Sequence, residues 1–591
     1  MSIVKLHLLN HDKVIETQSG QTVMDILKTV GIFQDSPCGG TGTCGKCKAI
    51  IKGQLSAPTE EEQMLLSDEE LALGFRLTCQ TVADADLTVE LEDSKDYAVM
   101  VDGKMGNYDF SPTIHVQKVI LQRPTLEDQL DDRQNLLSAS GTTEIAYDAL
   151  KKLPALLREN DFSAFVVIKE DKILAISKEK PSVLGVAVDI GTTTLVCYFF
   201  DLITGAPLGT KSGINAQRSY GADVISRISA CIDEENGLAV LNRVIVEQLS
   251  QMMAEFCSEH QLSTNSIYEV TLAGNTTMLH IAANINPTAI ANAPFIAATL
   301  FSHDYSAKET GFELNPSAFI RFLPCVASYV GADITAGMLC ANLNKVQKPT
   351  LFIDIGTNGE MALAMPDRIL SCSTAAGPAF EGANIKFGVG GIAGAVSSAD
   401  IVDNDLHFET ISDEPAIGIC GSGLIDLVAL LVSEGIVDET GRIVDEDETE
   451  SPLVSRLFEA ENNQAFRITE ELYLTQQDIR EVQLAKAAIG GGIATLIHKA
   501  GLTEKDIDKV YLAGGFGNHI NPKSATEIGL LPKTLLPKIE AIGNAAGMGA
   551  AMALLSDQSQ LEIKKITDKC QYIELSGDKF FQDEYIEQMM F

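Results

Sequence analysis

The sequence predicts a multidomain chain with an N-terminal β-grasp unit, a small α+β unit in the middle, and a large C-terminal α/β unit built as two lobes. With 591 residues, it is too long for one hydrophobic core. Four of its 12 cysteines crowd the first 79 residues in a Gly-rich loop between β-like segments. A strand-to-Gly-Thr phrase occurs twice, with Asp189 and Asp354 at equivalent places 165 residues apart.

Residues 4–9 (VKLHLL) alternate roughly, and residues 14–17 can return as a second strand. Residues 21–30 place Val23, Ile26, Leu27 and Val30 on one face of a short helix. The Cys loop, a strand at 48–51 and a last strand at 87–91 complete a unit spanning 1–95. Residues 96–113 show no sustained period and read as a linker, part of which could pair as a strand. In 114–181, Thr125 can cap a helix beginning LEDQLDDRQNLL, and 165–168 with 173–176 form a hairpin. From 182 to 591, buried strands ending in Gly/Thr turns alternate with amphipathic helices, an α/β texture. The acidic run 445–450 reads as a solvated loop.

Forty-four Lys and Arg stand against 81 Asp and Glu, a net charge of −37. Nucleic-acid binding needs basic residues that displace counterions, so nucleic acid and anionic membranes are excluded as partners. No run of about 18 apolar residues exists to span a bilayer. The start has no cationic segment followed by an apolar one. Clustered rather than evenly spaced cysteines point to a metal site in a reducing compartment, so the expected location is cytoplasmic.

Cys38, Cys44, Cys47 and Cys79 are spaced C-x5-C-x2-C-x31-C. Thiolates suit iron or zinc. Gly39, Gly40, Gly42 and Gly45 let the loop wrap closely and offer N–H groups to cluster sulfides. Plant-type [2Fe–2S] ferredoxins use C-x4-C-x2-C with a distant fourth Cys; this loop is one residue longer and resembles the adrenodoxin-like branch. The four cysteines could also hold structural zinc, but zinc ribbons usually carry two C-x2-C knuckles and here there is one. The remaining eight cysteines have no ligand-like spacing and read as small buried hydrophobes. His280 and His519 read as structural.

The phrases VDIGTTT (188–194) and IDIGTNGE (353–360) each run an apolar strand into Asp, then a Gly-Thr turn. The Asp can hold Mg²⁺ through water, the Gly admits close approach, and the following N–H and hydroxyl groups can hold phosphate. Two copies imply duplicated lobes facing one nucleotide. VYLAGGFG (510–517) is a third strand running into a Gly-rich turn, and a Walker A sequence is absent.

These phrases resemble the two phosphate motifs and the adenosine motif of the superfamily of acetate and sugar kinases, Hsp70 and actin. With the Cys loop, and with residues 215–228 (NAQRSYGADVISRI) and 373–383 (STAAGPAFEGA), the whole chain resembles the reductive activators of corrinoid-dependent enzymes. The resemblance implies an N-terminal β-grasp ferredoxin-like domain with a [2Fe–2S] cluster on the four cysteines, a small α+β middle domain, and a C-terminal α/β two-lobed actin/Hsp70-like ATPase domain using ATP and Mg²⁺. It implies that Asp189, Gly191, Thr192, Thr193 and Thr194 form the first phosphate hairpin. Asp354, Gly356, Thr357, Asn358 and Gly359 would form the second, and Gly514, Gly515, Phe516 and Gly517 would pass close to adenosine. Asp333 lies 21 residues before Asp354, where related enzymes orient the attacking water; it could equally be a helix N-terminal carboxylate. Gly421, Ser422 and Gly423 could bind an anion or form a packing turn, and Glu360 could assist at the metal or hydrogen-bond a neighbour.

The activity so implied is ATP-dependent one-electron reduction of inactive Co(II) to Co(I) in a corrinoid protein. That partner could be a methyltransferase component, an O-demethylase or a corrinoid iron–sulfur protein, with an upstream low-potential electron donor. A homodimer is suggested by the resemblance alone. The alternatives are a redox-gated ATP-binding sensor or clamp, and an activator of another low-potential metalloenzyme.

Overall fold

A computed structural model describes residues 3–11, 13–34, 36, 38–91, 101–233, 236–460, 463–514, 517 and 519–591. At the N-terminus, strands Ile3–Leu8 and Lys13–Gln18 pair as an antiparallel hairpin. The sheet order is Lys13–Gln18, Ile3–Leu8, Leu87–Leu91, Lys48–Gly53, Phe75–Leu77, with Leu87–Leu91 parallel to the first strand. Helix Val23–Thr29 starts at Thr22, whose hydroxyl accepts from the Asp25 N–H. Its apolar face joins Val4, Leu6, Leu8 and Val89 in one core.

Between the Cys loop and the last strand lie two short helices that the sequence reading left out, Glu60–Leu65 and Asp68–Leu73. Both open with capping boxes, at Thr59/Glu62 and Ser67/Glu70. Glu62 also makes two hydrogen bonds with the Arg76 guanidinium, at 2.9 and 2.7 Å, and accepts from the Leu77 N–H at 2.9 Å. Burial favours the protonated acid, but Arg76 and the N–H groups of Thr59 and Leu77 together hold the carboxyl below its ordinary value of 4.5. The stabilisation is therefore present above that value and is lost as pH falls through the lower folded one. Glu62→Ala leaves the buried Arg76 charge without its carboxylate, with only the Ser56 carbonyl still accepting from it, and is expected to destabilise this domain by about 3–5 kcal/mol. A lower urea midpoint read at the cluster's visible absorbance checks it; an unchanged midpoint contradicts it.

The unit that follows has a four-stranded sheet in the order Ile114–Ile120, Ser163–Lys169, Lys172–Ser177, Glu144–Ile145. The expected hairpin is present, with Phe165 opposite Ser177 and Val166 opposite Ile176. The expected helix starts later. The Thr125 hydroxyl accepts from Glu127 and Asp128 in a turn, and the helix is Asp132–Ser140, capped by Asp131 accepting from Gln134. Asp131 serves as the cap because the helix's apolar contacts, Leu136 and Leu137, lie beyond it.

Of the expected linker, residues 101–113 are described and lie against the C-terminal unit. The Val101 carbonyl accepts from the Tyr198 hydroxyl at 2.8 Å, Asp102 O from Asn544 N at 3.0 Å, and Ser111 N donates to Leu555 O at 3.0 Å. The rest of that stretch lies outside the described residues.

The C-terminal unit holds two six-stranded sheets. One runs Pro207–Ile214, Thr194–Asp201, Leu184–Ile190, Ile267–Gly274, Phe319–Phe322, Asp304–Ser306; the other runs Ile539–Gly543, Lys509–Ala513, Thr350–Ile355, Gly359–Ala364, Ile369–Thr374, Cys570–Tyr572. In each, the strand carrying the repeated Asp continues into an antiparallel meander and has a parallel neighbour on its other side. The repeated phrase is thus repeated topology. Helices Ala332–Cys340 and Ala545–Leu555 pack together between the lobes. At Gly549 a side chain would strike the Ala336 carbonyl at 1.9 Å, so the helices touch through their backbones. No described helix is long and apolar enough to cross a membrane.

Candidate functional site

The Cys loop uses left-handed backbone at Gly39, Gly40, Gly42 and Gly45, with φ from 65° to 92°. It delivers the thiols as two pairs. Cys38 and Cys44 are half-buried with sulfurs 3.3 Å apart, while Cys47 and Cys79 are buried and hydrogen-bond each other. The hydrogen bond from Cys44 pulls the Cys38 thiol down to about 3; that from Cys79 brings Cys47 to about 7. Their partners move up. Among the described residues no three metal-ligating side chains close on one point. Two thiol pairs suit two irons better than one tetrahedral zinc, which needs all four sulfurs around a single centre.

In the C-terminal unit the structure brings Asp189, Asp333, Asp354 and Glu360 into one another's field. Burial, then neighbouring negative charge, pushes Asp333 to about 7 and Asp354 to about 8, and raises Glu360. Asp189 rises to about 6 through burial, despite a 2.9 Å hydrogen bond from Asn544. A site this rich in carboxylate fits a hydrated Mg²⁺, which takes one or two carboxylates together with phosphate. Asp333 sits in the first turn of Ala332–Cys340 and close enough to Asp354 and Glu360 for its charge to act on both. Glu360 is buried and hydrogen-bonded by Asn358.

The first turn (Gly191, Thr192, Thr193, Thr194) is held from behind. Asn215 donates to Gly191 O at 2.9 Å, Asn275 to Thr192 Oγ1 at 3.2 Å, and the buried Arg227 to Thr192 O. In the second, Gly356 N donates to Asn358 O at 3.0 Å, and Gly359 pairs with Ile355 and Thr374. Gly514 has φ 93°, and a side chain there would meet the Asp354 carboxylate at 2.4 Å. That glycine is what lets the third motif lie beside the second turn. Gly517 is closed in by the Ala513 carbonyl; Gly515 and Phe516 lie outside the described residues.

Gly421, Ser422 and Gly423 open their helix in close packing. A side chain on Gly423 would strike Val396 O at 2.2 Å, and the Ser422 hydroxyl donates to Ser397 O at 2.8 Å. The helix they open, Gly421–Ser433, packs beneath Pro378–Glu381. His280 is structural: it is buried, with Nδ1 2.6 Å from Thr276 O and Nε2 accepting from Thr299 N. His519 is exposed.

Sequence reasoning passed over four residues behind the first turn: Asn215, Arg227, Asn275 and Asn544. Two of them carried a readable signal. Gly274-Asn275 and Gly543-Asn544 both end a strand and begin a helix. Each Asn caps its helix through Oδ1, accepting from Met278 and Gly547 respectively, and turns Nδ2 toward the turn carrying Asp189.

The cysteine domain is seated across both lobes. Ser219 Oγ donates to Gln34 O at 2.7 Å, Lys28 Nζ lies 4.4 Å over the Tyr220 ring, and Lys46 Nζ reaches Gly388 O at 3.4 Å. The segment bearing Ser219 and Tyr220 is the one Asn215 and Arg227 tie to the first turn: Arg227 Nε donates to Gly221 O at 3.0 Å. Tyr220→Ala is expected to weaken this seating by about 1–2 kcal/mol, read as faster amide exchange in residues 33–34, 38–40 and 216–221; unchanged exchange contradicts it.

Comparison with known proteins agrees with this architecture. Residues 6–84 match a 2Fe-2S iron-sulfur cluster binding domain, 104–182 the RACo linker region, 184–346 the RACo middle region, and 348–591 the C-terminal domain of RACo, the ASKHA domain. The corrinoid activation enzyme RamQ of Eubacterium limosum is 31% identical over 98% of this chain and 98% of its own length. The chain belongs to the RACo family. It is also 24% identical to the [Co(II) methylated amine-specific corrinoid protein] reductase of Methanosarcina barkeri, over 69% of this chain and 77% of that one. Its fold matches the solved structure of a reductive activator for corrinoid, iron-sulfur protein with a TM-score of 0.75 and 34% identity, covering 99% and 98% of the two chains. This RACo-family chain therefore combines a 2Fe–2S-binding domain with an ASKHA domain of the ATPase type, and the fold class read from the sequence holds.

Proposed function

We propose that this chain uses ATP to drive one-electron reduction of Co(II) to Co(I) in a corrinoid protein. The observation that carries the reading is mechanical: the segment seating the thiol domain is hydrogen-bonded to the turn proposed to hold phosphate. In this reading residues 1–95 carry the electron, 96–113 link it, 114–181 act as a spacer, and 182–591 form the nucleotide-driven clamp on the corrinoid protein. When bound, a [2Fe–2S] cluster supplies single electrons at low potential, refilled by an upstream donor.

The chain's own residues do the rest. Cys38, Cys44, Cys47 and Cys79 hold the cluster. Thr192, Thr193, Thr357 and Asn358 offer hydroxyl, amide and N–H donors to the phosphates. Asp189 and Asp354 face the magnesium ion, Asp333 positions the attacking water, and Gly514 keeps the adenosine side open. ATP is needed because each ~59 mV of unfavourable gap costs a tenfold loss of reduced product. A gap of ~0.12 V leaves about 1% Co(I), and reversing that needs about 5.5 kcal/mol of differential binding. A cytoplasmic location suits these oxidisable thiols.

The test is anaerobic and optical. Reduced protein is mixed with a Co(II) corrinoid protein and the Co(I) band is followed with and without Mg-ATP. Growth of the band only with ATP supports the reading. Nucleotide-dependent binding without Co(I) from any of several corrinoid proteins would replace it with a redox-gated clamp.

A further inference from the structure

Glu381 is the residue that joins the two lobes at their turns. Its Oε2 accepts from the Thr193 hydroxyl at 2.9 Å, and its Oε1 accepts from the Thr357 hydroxyl at 2.6 Å. Thr193 lies 188 residues away in one lobe; Thr357 lies 24 residues away in the other. One carboxylate thus receives a hydroxyl from each of the turns that, in the reading above, hold the phosphate chain.

The position is built rather than incidental. Glu381 ends the short helix Pro378–Glu381, which rests on helix Gly421–Ser433. The next residue, Gly382, has φ 81°, and a side chain there would strike Val389 N at 2.6 Å. Gly382 N donates to Ala379 O at 3.0 Å and Ala383 N to Pro378 O at 3.1 Å. The backbone on both sides is fixed, so the side chain reaches the turns from a rigid base.

A carboxylate and a phosphate present the same face to two hydroxyl donors: two anionic oxygens on one centre. We propose that Glu381 is an internal phosphate mimic, an interlobe clasp that holds Thr193 and Thr357 while nucleotide is absent and is displaced by the phosphates of ATP. Displacement follows from charge as well as geometry, since a carboxylate fixed between two turns repels an arriving triphosphate. Two consequences follow. Nucleotide binds more weakly than the turns alone would allow, because it competes with a tethered anion. The arrival of phosphate also breaks the hydrogen bonds joining the lobes, so the lobes respond to phosphate and not merely to adenosine. This rests on the ATP-binding reading.

The test measures affinity of the full-length, cluster-loaded protein for AMP-PNP by calorimetry, with and without Mg²⁺, in the parent, Glu381→Ala and Glu381→Gln. Removing the competing carboxylate is expected to tighten AMP-PNP by about tenfold in Glu381→Ala. Glu381→Gln, with the same shape but one acceptor oxygen, is expected to fall between. Adenosine affinity is expected to change less than AMP-PNP affinity. Structural damage would weaken binding, so tightening separates a clasp from a residue that merely supports the fold. Unchanged or weaker AMP-PNP binding in both variants overturns the proposal. Weakening confined to Mg²⁺-containing samples overturns it in favour of a metal ligand. Failure of the parent itself to bind AMP-PNP removes the ATP reading instead, a separate result.

Discussion

Asp354→Asn is expected to abolish ATP-driven formation of Co(I) while leaving the protein as stable as the parent, or more so. Asp354 is the last residue but one of strand Thr350–Ile355, opposite Glu360 on one side and Ala513 on the other. Its carboxylate occupies the space that Gly514 leaves by having no side chain. Burial, Asp333 and Asp189 raise it to about 8, so the fold works against its charge. An amide of the same shape relieves that repulsion. What the amide cannot do is face a hydrated cation with a negative charge. Mg-ATP hydrolysis is expected to drop at least a hundredfold, which corresponds to about 2.7 kcal/mol of lost transition-state stabilisation. A thermal midpoint that holds or rises beside that loss marks a functional carboxylate, since structural ones lose both together. Parent-like hydrolysis and parent-like ATP-dependent Co(I) would remove Asp354 from the site.

Much of this arrangement was legible in the residues, for reasons that differ by element. The N-terminal hairpin and helix were readable because their apolar positions follow the periods of strand and helix and all face one core. The two lobes were readable because the duplication kept its phrase at the same topological place, at Asp189 and at Asp354. The helices at 60–65 and 68–73 were missed although T-x-x-E and S-x-x-E signatures stood in the sequence; at six residues each they carry too little periodicity to register. The start of Asp132–Ser140 was misplaced because several acidic and hydroxyl residues compete for the cap, and only packing of Leu136 and Leu137 decides among them.

The site divides the same way. Residues inside the repeated phrases could be singled out by the repetition itself. Asn275, Asn544, Arg227 and Glu381 act on those phrases from distant segments, and single-sequence spacing does not report which segments meet. Glu381 stood in a stretch already marked by resemblance, yet only its hydrogen bonds to Thr193 and Thr357 give it a task. Ser422 shows the converse: a Gly-Ser-Gly helix start offers the local chemistry of an anion site and of a packing turn alike, and only the tertiary contacts with Val396 and Ser397 show how closely it is packed.

Cys47→Ser is expected to remove the visible absorbance of the cluster and, with it, all Co(I) formation at any ATP concentration, while Mg-ATP hydrolysis stays near the parent rate. A serine hydroxyl stays protonated where the hydrogen bond from Cys79 lowers the Cys47 thiol, so the buried pair loses its anionic ligand. The second core of that domain, Met24, Leu66 and Leu77 with Cys47 and Cys79, keeps its volume almost unchanged, because serine and cysteine differ by one atom. Hydrolysis survives because the donors that hold the first turn come from Asn215, Arg227, Asn275 and Asn544, all in the C-terminal unit. The contacts of Lys28 and Lys46 with that unit involve no sulfur. A variant that loses the cluster and also loses hydrolysis would mean that the seated domain shapes the nucleotide cleft, so that the two activities share one folded state. A variant that loses only electron transfer makes the cluster a passenger of the ATP cycle, moved by it and not required for it.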